Sequence, residues 1–424
     1  MIYTANTVLP ISSLPIKRGA ILVRNGFITA VGDIDSLLDD NQEEEVIDFG
    51  SAIIMPGLVN LHGHLECSSF DFLARPTPFS EWLGGIIEAG RSMTRDGWLT
   101  AARKGVQKYL ESGITCTADI TRTGLGLQAV AEVGLPSVIY IEAVGIDERN
   151  LKDAVVDLFE KIKSSESIIE ADNFQLGLSP HSPYTLSRSA LQVCAGIARD
   201  YDLPITVHLA ETQPEVELIR DGTGSLASAI SKRLELEIIR DGGSGVTPAQ
   251  FLADSGLVNE SLIAAHGVWL SDDDIELLGS SGVAVAVCPT SNELLGSGEA
   301  PIHKFVEHGL RFGIGTDSLA SNPDLDLFAE ARKVFAIYEK QTGGGAGQPG
   351  LCAEQLVKMI TLEAAAILGL DDRLGSIEPG KRADFIAIEH IAESTTDLYT
   401  YIIEEASKYS ISHTILGGKI VYSR

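Results

Sequence analysis

Two histidines separated by a single residue directly follow a short apolar segment of the chain. They are His62 and His64, at the end of the run Met55-Pro-Gly-Leu-Val-Asn-Leu-His-Gly-His64. Residues 52–61 have the apolarity and length of a buried strand. Because residues two apart in a strand point to the same side, both imidazoles should emerge together where that strand ends. Imidazole is a common metal ligand, so the pair predicts half of a metal site, with two buried core histidines as the alternative.

Four further residues of metal-binding or acid–base type stand at or just past the ends of other apolar segments. They are His181, His208, His266 and Asp317. Three neutral imidazoles and one carboxylate suit Zn²⁺, and also Fe²⁺ or Mn²⁺. We therefore predict one divalent metal ion, with zinc as the first expectation, held by a set of four ligands: His62, His64, His208 and Asp317.

The same set of residues could serve a reaction with water. A divalent metal lowers the pKa of a bound water toward neutrality. Glu211, three residues beyond His208, is predicted to carry a proton between water and substrate, with a solvated surface carboxylate as the alternative. His266 is predicted to hold the water together with Asp317. His181 is predicted to orient the substrate.

The elements that must position these residues form a repeating pattern. Segments of helical character, such as Trp98–Ser112, Ser187–Asp200 and Asp272–Gly279, separate most of the short apolar runs. Eight strands alternating with helices predict an α/β fold, a (β/α)8 TIM barrel whose active site lies at the carboxyl ends of its strands. The eight predicted strands lie near residues 52–61, 114–119, 137–144, 174–180, 205–209, 262–266, 283–288 and 311–316.

Both ends of the chain have a different sequence pattern, which is typical of short antiparallel strands. Asn25-Gly26 lies between two apolar runs and is a hairpin signal. Short strand-like runs return after Gly375. We predict that residues 1–54 and 373–424 form one composite β-sandwich domain, beside a barrel domain over 55–372. The long connection 213–247 is predicted to be either a lid over the site or an insertion.

Composition excludes several classes of function. The chain has 424 residues and a formal net charge of −27, which disfavours nucleic acid as a partner. Five scattered cysteines form no Cys-x-x-Cys, and no apolar run reaches the length of a membrane span. We expect a reduced, cytoplasmic protein without a membrane partner. Its expected partner is a small-molecule substrate, and a homodimer is kept as an option.

The chain resembles the amidohydrolase superfamily, in its branch of hydrolytic deaminases and chlorohydrolases. The resemblance implies a barrel, a β-sandwich made from both termini, and a single metal. It also implies the same roles as above: four metal ligands, Glu211 as proton shuttle, His266 with Asp317 to activate water, and His181 at the substrate. The residues that carry it are Pro56–His64, His181–Tyr184, His208–Glu211, His266-Gly, Cys288–Asn292, Gly315–Ser318 and Gly375–Asp384.

The predicted substrate rests on a shorter resemblance. His64-Leu-Glu-Cys-Ser68 followed by Phe79-Ser-Glu-Trp-Leu83 is similar to aminodeoxyfutalosine deaminases of menaquinone synthesis. On this basis Glu66, Phe79 and Trp82 are predicted to contact substrate, with packing under a loop as the alternative for the two aromatic rings.

Several other functions stay open. Deaminases of S-adenosylhomocysteine or methylthioadenosine share most of the motifs. Aminodeoxyfutalosine carries a benzoate, which is expected to bind a cationic side chain. The candidates for this side chain are Arg122 and Arg149. The enzyme alternatives are a chlorohydrolase and a cyclic amidohydrolase, and the alternative outside enzymes is a metal-free scaffold protein. The first expectation is a metal-dependent hydrolase of carbon–nitrogen bonds, a cyclic amidine deaminase.

Overall fold

Eight consecutive parallel strands form a barrel in the computed structural model, which describes residues 1–169, 173–343, 350–389 and 397–424. We number all strands and helices in chain order. Each barrel strand pairs with the next along the chain. The strands are β6 (Leu58–Gly63), β7 (Ile114–Thr121), β8 (Ser137–Ala143), β9 (Phe174–Pro180), β10 (Ile205–Leu209), β11 (Leu262–His266), β12 (Ala284–Val287) and β13 (Arg311–Ile314).

The first and last barrel strands meet through a few specific hydrogen bonds rather than a regular ladder. Just past β13, the backbone N–H of Asp317 donates to the carbonyl of His62 at 3.0 Å. The N–H of Thr316 donates to the Asn60 side chain at 2.9 Å. These bonds nearly close the barrel, and they place a candidate ligand from the last strand beside one from the first. The predicted fold class is confirmed.

Helices fill most connections between the barrel strands, and several begin at residues that cap them. Ser187 accepts from the N–H of Ala190, and Ser271 forms a reciprocal capping box with Asp274. The three predicted helical segments correspond to α3, α6 and α11. The helices are α1 (Ile34–Asp40), α2 (Phe79–Arg91), α3 (Arg95–Glu111), α4 (Leu125–Val133), α5 (Leu151–Ile169), α6 (Arg188–Asp200), α7 (Gln213–Asp221), α8 (Gly224–Ile230), α9 (Glu237–Arg240), α10 (Pro248–Asp254), α11 (Asp272–Ser280), α12 (Pro289–Leu294), α13 (Ile302–His308), α14 (Leu327–Thr342), α15 (Ala353–Met359), α16 (Leu362–Ile367) and α17 (Leu398–Glu405).

A second sheet is built from both ends of the chain. The N-terminal β2 and β3 pair antiparallel through Asn25 and Gly26, which have φ values of 53° and 84°. A two-residue turn of type I′ requires positive φ at both positions, which Asn and Gly tolerate best. The strands of this sheet are β1 (Ile2–Val8), β2 (Ile16–Arg24), β3 (Phe27–Asp33), β4 (Val46–Asp48), β5 (Ile53–Pro56), β14 (Phe385–Ile388), β15 (Ile411–Leu416) and β16 (Lys419–Ser423).

One predicted strand is wrong, because the run 52–61 is divided between the two sheets. Its first part is β5, which pairs with β1 and β14. Its second part is β6, the first strand of the barrel. The break falls at Gly57, where a Cβ atom would lie 2.0 Å from Thr115 Oγ1. A continuous apolar run cannot show this change of sheet, because both halves are buried.

The connection 213–247 consists of the short helices α7, α8 and α9, and it is tied to the loop after β8. Asp147 in that loop is 1% exposed. Its carboxylate accepts from the Glu235 backbone N–H at 2.8 Å and from the Arg149 guanidinium. Arg149 also forms an ion pair with Glu235 at 3.1 Å. Among the described residues, no helix is long and apolar enough to cross a membrane.

Candidate active site

Four predicted ligands meet at the carboxyl ends of β6, β10 and β13. His64 Nε2 lies 3.2 Å from His208 Nε2 and 3.7 Å from Asp317 Oδ1. His62 Nε2 lies 3.9 Å from the same carboxylate oxygen. Two ligand atoms about 2.1 Å from one tetrahedral metal lie about 3.4 Å apart. The spacing of these atoms therefore fits one metal ion. Two overlapping groups could hold it: His62 with His64 and Asp317, and His62 with His208 and His266.

An irregularity in β6 lies at His62, and His64 directly follows the strand. The pairing of β6 with β7 shifts between Asn60 and Gly63, as in a β-bulge. His62 lies inside this stretch, and its Nε2 atom is buried without a hydrogen-bond partner among the described residues. A buried, unpaired ring nitrogen is costly unless something binds it. This orphaned atom supports the fit to a metal.

The other ligand side chains are held through the atom that faces away from the cluster. The Nδ1 atom of His208 lies 2.9 Å from the carbonyl of His181, which requires a proton on Nδ1 and leaves Nε2 free. Oδ2 of Asp317 accepts from Ser291 Oγ at 2.6 Å and from Ser321 Oγ at 2.7 Å. Asp317 has a φ of 58°, a strained value for a residue with a side chain. These contacts aim Oδ1 at the imidazoles.

The protonation states of these groups suit metal binding. Burial lowers the pKa of His62 and of His208 well below the usual value, so both rings are neutral. Burial raises the pKa of Asp317, but the nearby imidazoles and the Ser291 hydroxyl outweigh it and bring that pKa to about 2. The site therefore presents neutral nitrogen donors and an ionised carboxylate, the forms that ligate a divalent cation.

Glu211 and His266 face each other beside the cluster. His266 Nε2 lies 3.8 Å from Glu211 Oε1, and both residues are buried. His266 Nδ1 donates to Asn292 Oδ1 at 2.9 Å, so a neutral His266 carries its free lone pair on Nε2. Burial, assisted by the charge of Asp317, raises the pKa of Glu211 well above its usual value. Burial thus favours the protonated form of the Glu211 carboxyl, which lies beside the free imidazole nitrogen of His266.

Three residues that hold Asp317, His266 and the Glu211 backbone have no role predicted from the sequence: Ser291, Asn292 and Glu215. Asn292 and Ser291 lie in Cys288-Pro-Thr-Ser-Asn292, a matching segment to which no chemistry was assigned. Glu215 is 0% exposed and accepts from the backbone N–H groups of Ala210 and Glu211 at 2.8 and 2.9 Å. Burial raises the pKa of Glu215 to about 8. A carboxylate four residues beyond Glu211, at the start of a helix, was the available signal.

His181 stands beside the metal cluster, on the neighbouring strand end. Its ring centroid lies 4.7 Å from that of His208. Its Nδ1 atom lies 2.9 Å from Ser182 Oγ and 3.1 Å from Thr185 Oγ1. Burial, with smaller contributions from His64 and Arg122, lowers the pKa of His181 to about 3. A neutral ring at this position is compatible with the predicted substrate contact.

The Glu66 carboxylate accepts its hydrogen bonds from the protein itself. It is 2% exposed, and its carboxylate lies at the amino end of α4. It accepts hydrogen bonds from the hydroxyls of Thr121 and Thr123 and from the backbone N–H groups of Arg122, Thr123, Leu125 and Gly126. A carboxylate among helix N-terminal N–H groups is a cap. The structure thus shows a capping role for Glu66.

The two predicted aromatic contacts pack against the protein. Phe79 is 9% exposed and belongs to the main hydrophobic core, and its ring centroid lies 5.9 Å from that of Trp82. Trp82 is partly buried against the same core. Its indole N–H donates to the carbonyl of Ala320, in the loop after β13, at 2.8 Å. These contacts hold α2 against the rim of the barrel, so packing accounts for both rings.

The two candidate cations for an anionic substrate differ in position. Arg149 is used in the ion pairs with Asp147 and Glu235. Arg122 directly follows β7, is exposed, and lies close enough to His181 to help lower the pKa of that ring. Of the two, only Arg122 stands near the candidate site.

A comparison with known protein families supports the same fold. The model of the amidohydrolase family matches residues 53–421. The chain belongs to this family. The predicted resemblance is therefore confirmed, and the chain is a hydrolase acting on carbon–nitrogen bonds. The amidohydrolase match covers both the barrel and the C-terminal strands of the second sheet.

Individual amidohydrolases resemble the chain over most of its length. A 5-methylthioadenosine/S-adenosylhomocysteine deaminase of Pyrococcus furiosus is 32% identical over 376 residues, which are 88% of this chain and 82% of the relative. An adenosine deaminase from Xanthomonas campestris with bound zinc has a TM-score of 0.80 and 24% identity, covering 99% of this chain and 92% of that one. Helicobacter pylori aminofutalosine deaminase in complex with methylthio-coformycin has a TM-score of 0.83 and 21% identity, covering 99% and 100%.

Proposed function

We propose that the chain is a metal-dependent deaminase that replaces the exocyclic amine of an adenine nucleoside with oxygen. The observation that carries this proposal is the pair of Glu211 and His266, one a buried acid and the other a free imidazole base, 3.8 Å apart beside the metal cluster. Replacement of an amine on an aromatic ring needs a proton on the ring nitrogen and a base for the incoming water. The pair supplies both.

The metal would be held by His62, His64, His208 and Asp317. When bound, a divalent ion supplies Lewis-acid activation of water. Three imidazoles with one carboxylate suit zinc, with Fe²⁺ and Mn²⁺ as alternatives. The similarity to a zinc-containing adenosine deaminase supports zinc as the first choice.

Proton transfer in the reaction would use side chains that the fold already holds in place. Glu211 donates its proton to the ring nitrogen next to the reacting carbon, which makes that carbon electrophilic. His266 and Asp317 accept the proton that the water loses as its oxygen bonds to the carbon. Return of that proton to the amine lets the carbon–nitrogen bond break and ammonia leave. As the carbonyl forms, the remaining proton of the added water passes to Glu211 and restores its acid form. The products are ammonia and the oxo form of the base.

The substrate class proposed here is an adenine nucleoside altered at its 5′ position. Methylthioadenosine and S-adenosylhomocysteine rank first, because the Pyrococcus furiosus relative is named for these two compounds. Aminodeoxyfutalosine, the first expectation from the sequence, is the second candidate. It is favoured by Arg122, a cation past the end of β7 for its benzoate, and by the fold similarity to aminofutalosine deaminase.

The direct test is ammonia release from purified, metal-loaded protein. The panel is methylthioadenosine, S-adenosylhomocysteine, aminodeoxyfutalosine and guanine, and purine deamination also changes the ultraviolet spectrum. We expect a higher kcat/KM for at least one of the first two compounds than for aminodeoxyfutalosine. The opposite order would restore aminodeoxyfutalosine as the substrate. Turnover of a chlorinated triazine or cyclic amide, with none of any aminated purine, would refute the deaminase proposal.

A further inference from the structure

One carboxylate at the mouth of the barrel has no role in the reaction proposed above. Glu142 is the penultimate residue of β8. Along this strand, Val138 and Tyr140 pack in one hydrophobic cluster with residues of β6 and β7, whereas Ile139 and Ile141 pack in another. Because side chains alternate along a strand, Glu142 shares the face of Tyr140 and lies one layer nearer the mouth.

The neighbouring strands confirm that this face is the inside of the barrel. A Cβ at Gly177 of β9 would lie 2.5 Å from the Tyr140 ring, so the two residues face each other. Glu142 pairs in register with Ser179, two residues beyond Gly177. Glu142 and Ser179 therefore form the next inward-facing layer. His181 follows two residues later along the same chain.

The strand on the other side of β8 contributes a cation to the same layer. Ile120 pairs with Tyr140, and Thr121 pairs with Ile141. The next residue, Arg122, therefore stands at the level of Glu142. Arg122 lies close enough to lower the pKa of the Glu142 carboxyl, although burial has the larger effect and raises that pKa to about 7. Glutamate, serine and arginine are thus cross-strand neighbours at the mouth.

These polar groups lack partners within the described part of the chain. Ser179 is 0% exposed, and its Oγ atom makes no hydrogen bond. Among the described residues, no ion pair within 4.0 Å joins Arg122 and Glu142, although their strands are adjacent and Arg122 acts on Glu142 through its charge. Glu66, by contrast, is saturated with bonds from the protein. A buried hydroxyl left unpaired beside an unpaired carboxylate indicates that a ligand completes them.

The position of this layer relative to the metal cluster indicates which part of a ligand it meets. The proposed metal ligands come from β6, β10 and β13, and the acid–base pair follows β10 and ends β11. Arg122 directly follows β7, Glu142 lies in β8 and Ser179 lies in β9, on the opposite arc of the barrel. A substrate whose base reacts at the metal cluster would extend its sugar and 5′ group toward this arc.

We propose that Glu142 is a specificity-determining residue that accepts hydrogen bonds from the sugar hydroxyls and disfavours a carboxylate on the 5′ side of the substrate. The inference rests on the proposed function and deepens it, because it ranks methylthioadenosine, whose 5′ group is uncharged, above S-adenosylhomocysteine and aminodeoxyfutalosine, whose 5′ groups carry a carboxylate. A carboxylate brought near Glu142 meets a like charge in a partly desolvated site, where repulsion is strong. Ser179 supplies a second polar contact beside it.

The test uses two adenine nucleosides that differ in charge at the 5′ end: methylthioadenosine and adenosine-5′-carboxylic acid. Measured at pH 8 with the metal-loaded protein, kcat/KM should favour the neutral compound. Glu142→Gln should raise the relative kcat/KM of the carboxylate by about 10-fold or more, since it removes one charge without changing size. Glu307→Gln, at an exposed position on α13, is the matched control and should leave the ratio unchanged.

Two further measurements separate this inference from its competitors. Glu142→Gln should keep the melting temperature of the wild type, so that a change in ratio is not a folding effect. An unchanged ratio in active Glu142→Gln protein overturns the inference and leaves the deaminase proposal intact. A wild type that prefers the carboxylate, and loses this preference in Arg122→Gln, assigns specificity to Arg122 instead. A wild type that deaminates no adenine nucleoside overturns both.

Discussion

The two arcs of the barrel mouth differ in how their polar side chains are partnered. On the arc of β6, β10, β11 and β13, the protein holds one atom of His208, His266 and Asp317 and leaves the other facing the cluster. On the arc of β7, β8 and β9, the buried Ser179 hydroxyl has no hydrogen-bond partner among the described residues, and Arg122 acts on the Glu142 carboxylate through its charge alone. We infer that the proposed reacting groups are preorganised before substrate arrives, whereas the proposed recognition groups gain their partners only when substrate binds.

The largest loss of activity should follow substitution of a proposed metal ligand on the first arc. His208→Ala removes one of four donors, so we expect loss of bound metal and a fall in kcat/KM of about 10³-fold or more. Elemental analysis of protein purified without chelator should find one divalent ion per wild-type chain. His308→Ala, at an exposed histidine of α13, is the control. Full metal content in His208→Ala, or two equivalents in the wild type, would contradict the single site.

A smaller but still large effect should follow loss of the proton on Glu211. Glu211→Gln is nearly isosteric and cannot pass a proton, so kcat should fall by about 10²–10⁴-fold. Metal content and melting temperature should stay at wild-type values. Glu276→Gln, at an exposed position on α11, matches the change in charge. If Glu211→Gln turns over at near the wild-type rate, the shuttle is another group.

A substitution at Glu66 distinguishes a carboxylate that stabilises the fold from one that binds substrate. Glu66→Gln weakens the cap on α4, so the free energy of unfolding should fall by about 1–3 kcal/mol. The KM for the preferred nucleoside should change little, whereas Glu142→Gln should alter selectivity. Urea unfolding and steady-state kinetics measure the two quantities. A raised KM with unchanged stability would reinstate the substrate contact predicted from the sequence.

The smallest effect should be at Asp147, which anchors the 213–247 connection beside the second arc. The hydrogen bond from Arg149 lowers the pKa of Asp147 to about 2, below its value in an unfolded chain. The ionised form therefore stabilises the fold above about pH 4, and this contribution is lost as the pH falls toward 2. Asp147→Asn should lower the free energy of unfolding by about 1–2 kcal/mol, a modest value because Arg149 is half exposed.

Urea unfolding of both proteins between pH 8 and pH 3 measures this difference. It should stay constant from pH 8 to 5 and shrink below pH 4. A difference that grows as the solution becomes more acidic would contradict the assigned direction of the pKa shift.

Much of the first arc could be predicted from the sequence, and much of the second could not. The histidines of the first arc stand next to short apolar runs. A strand followed by a metal-binding or acid–base residue can be recognised from a few neighbouring residues in the sequence. Glu66 and Glu142 show the limit. The neighbours of Glu66 in the sequence predict a substrate contact, whereas in the structure six groups from residues 121–126 donate hydrogen bonds to its carboxylate. Glu142 carries no local signal, because in the sequence it is an ordinary polar residue at a strand end.

The number of barrel strands, the types of the ligand residues and the family could be predicted from the sequence, because these depend on periodicity and on motifs a few residues long. Tertiary contacts set which atom of each side chain faces the cluster and which carboxylate is left free. Those outcomes depend on partners far apart in the chain, such as Asn292 for His266 and Ser291 for Asp317. A hydrogen bond acts over about 3 Å in space, whatever the separation along the chain, so local sequence patterns cannot specify it.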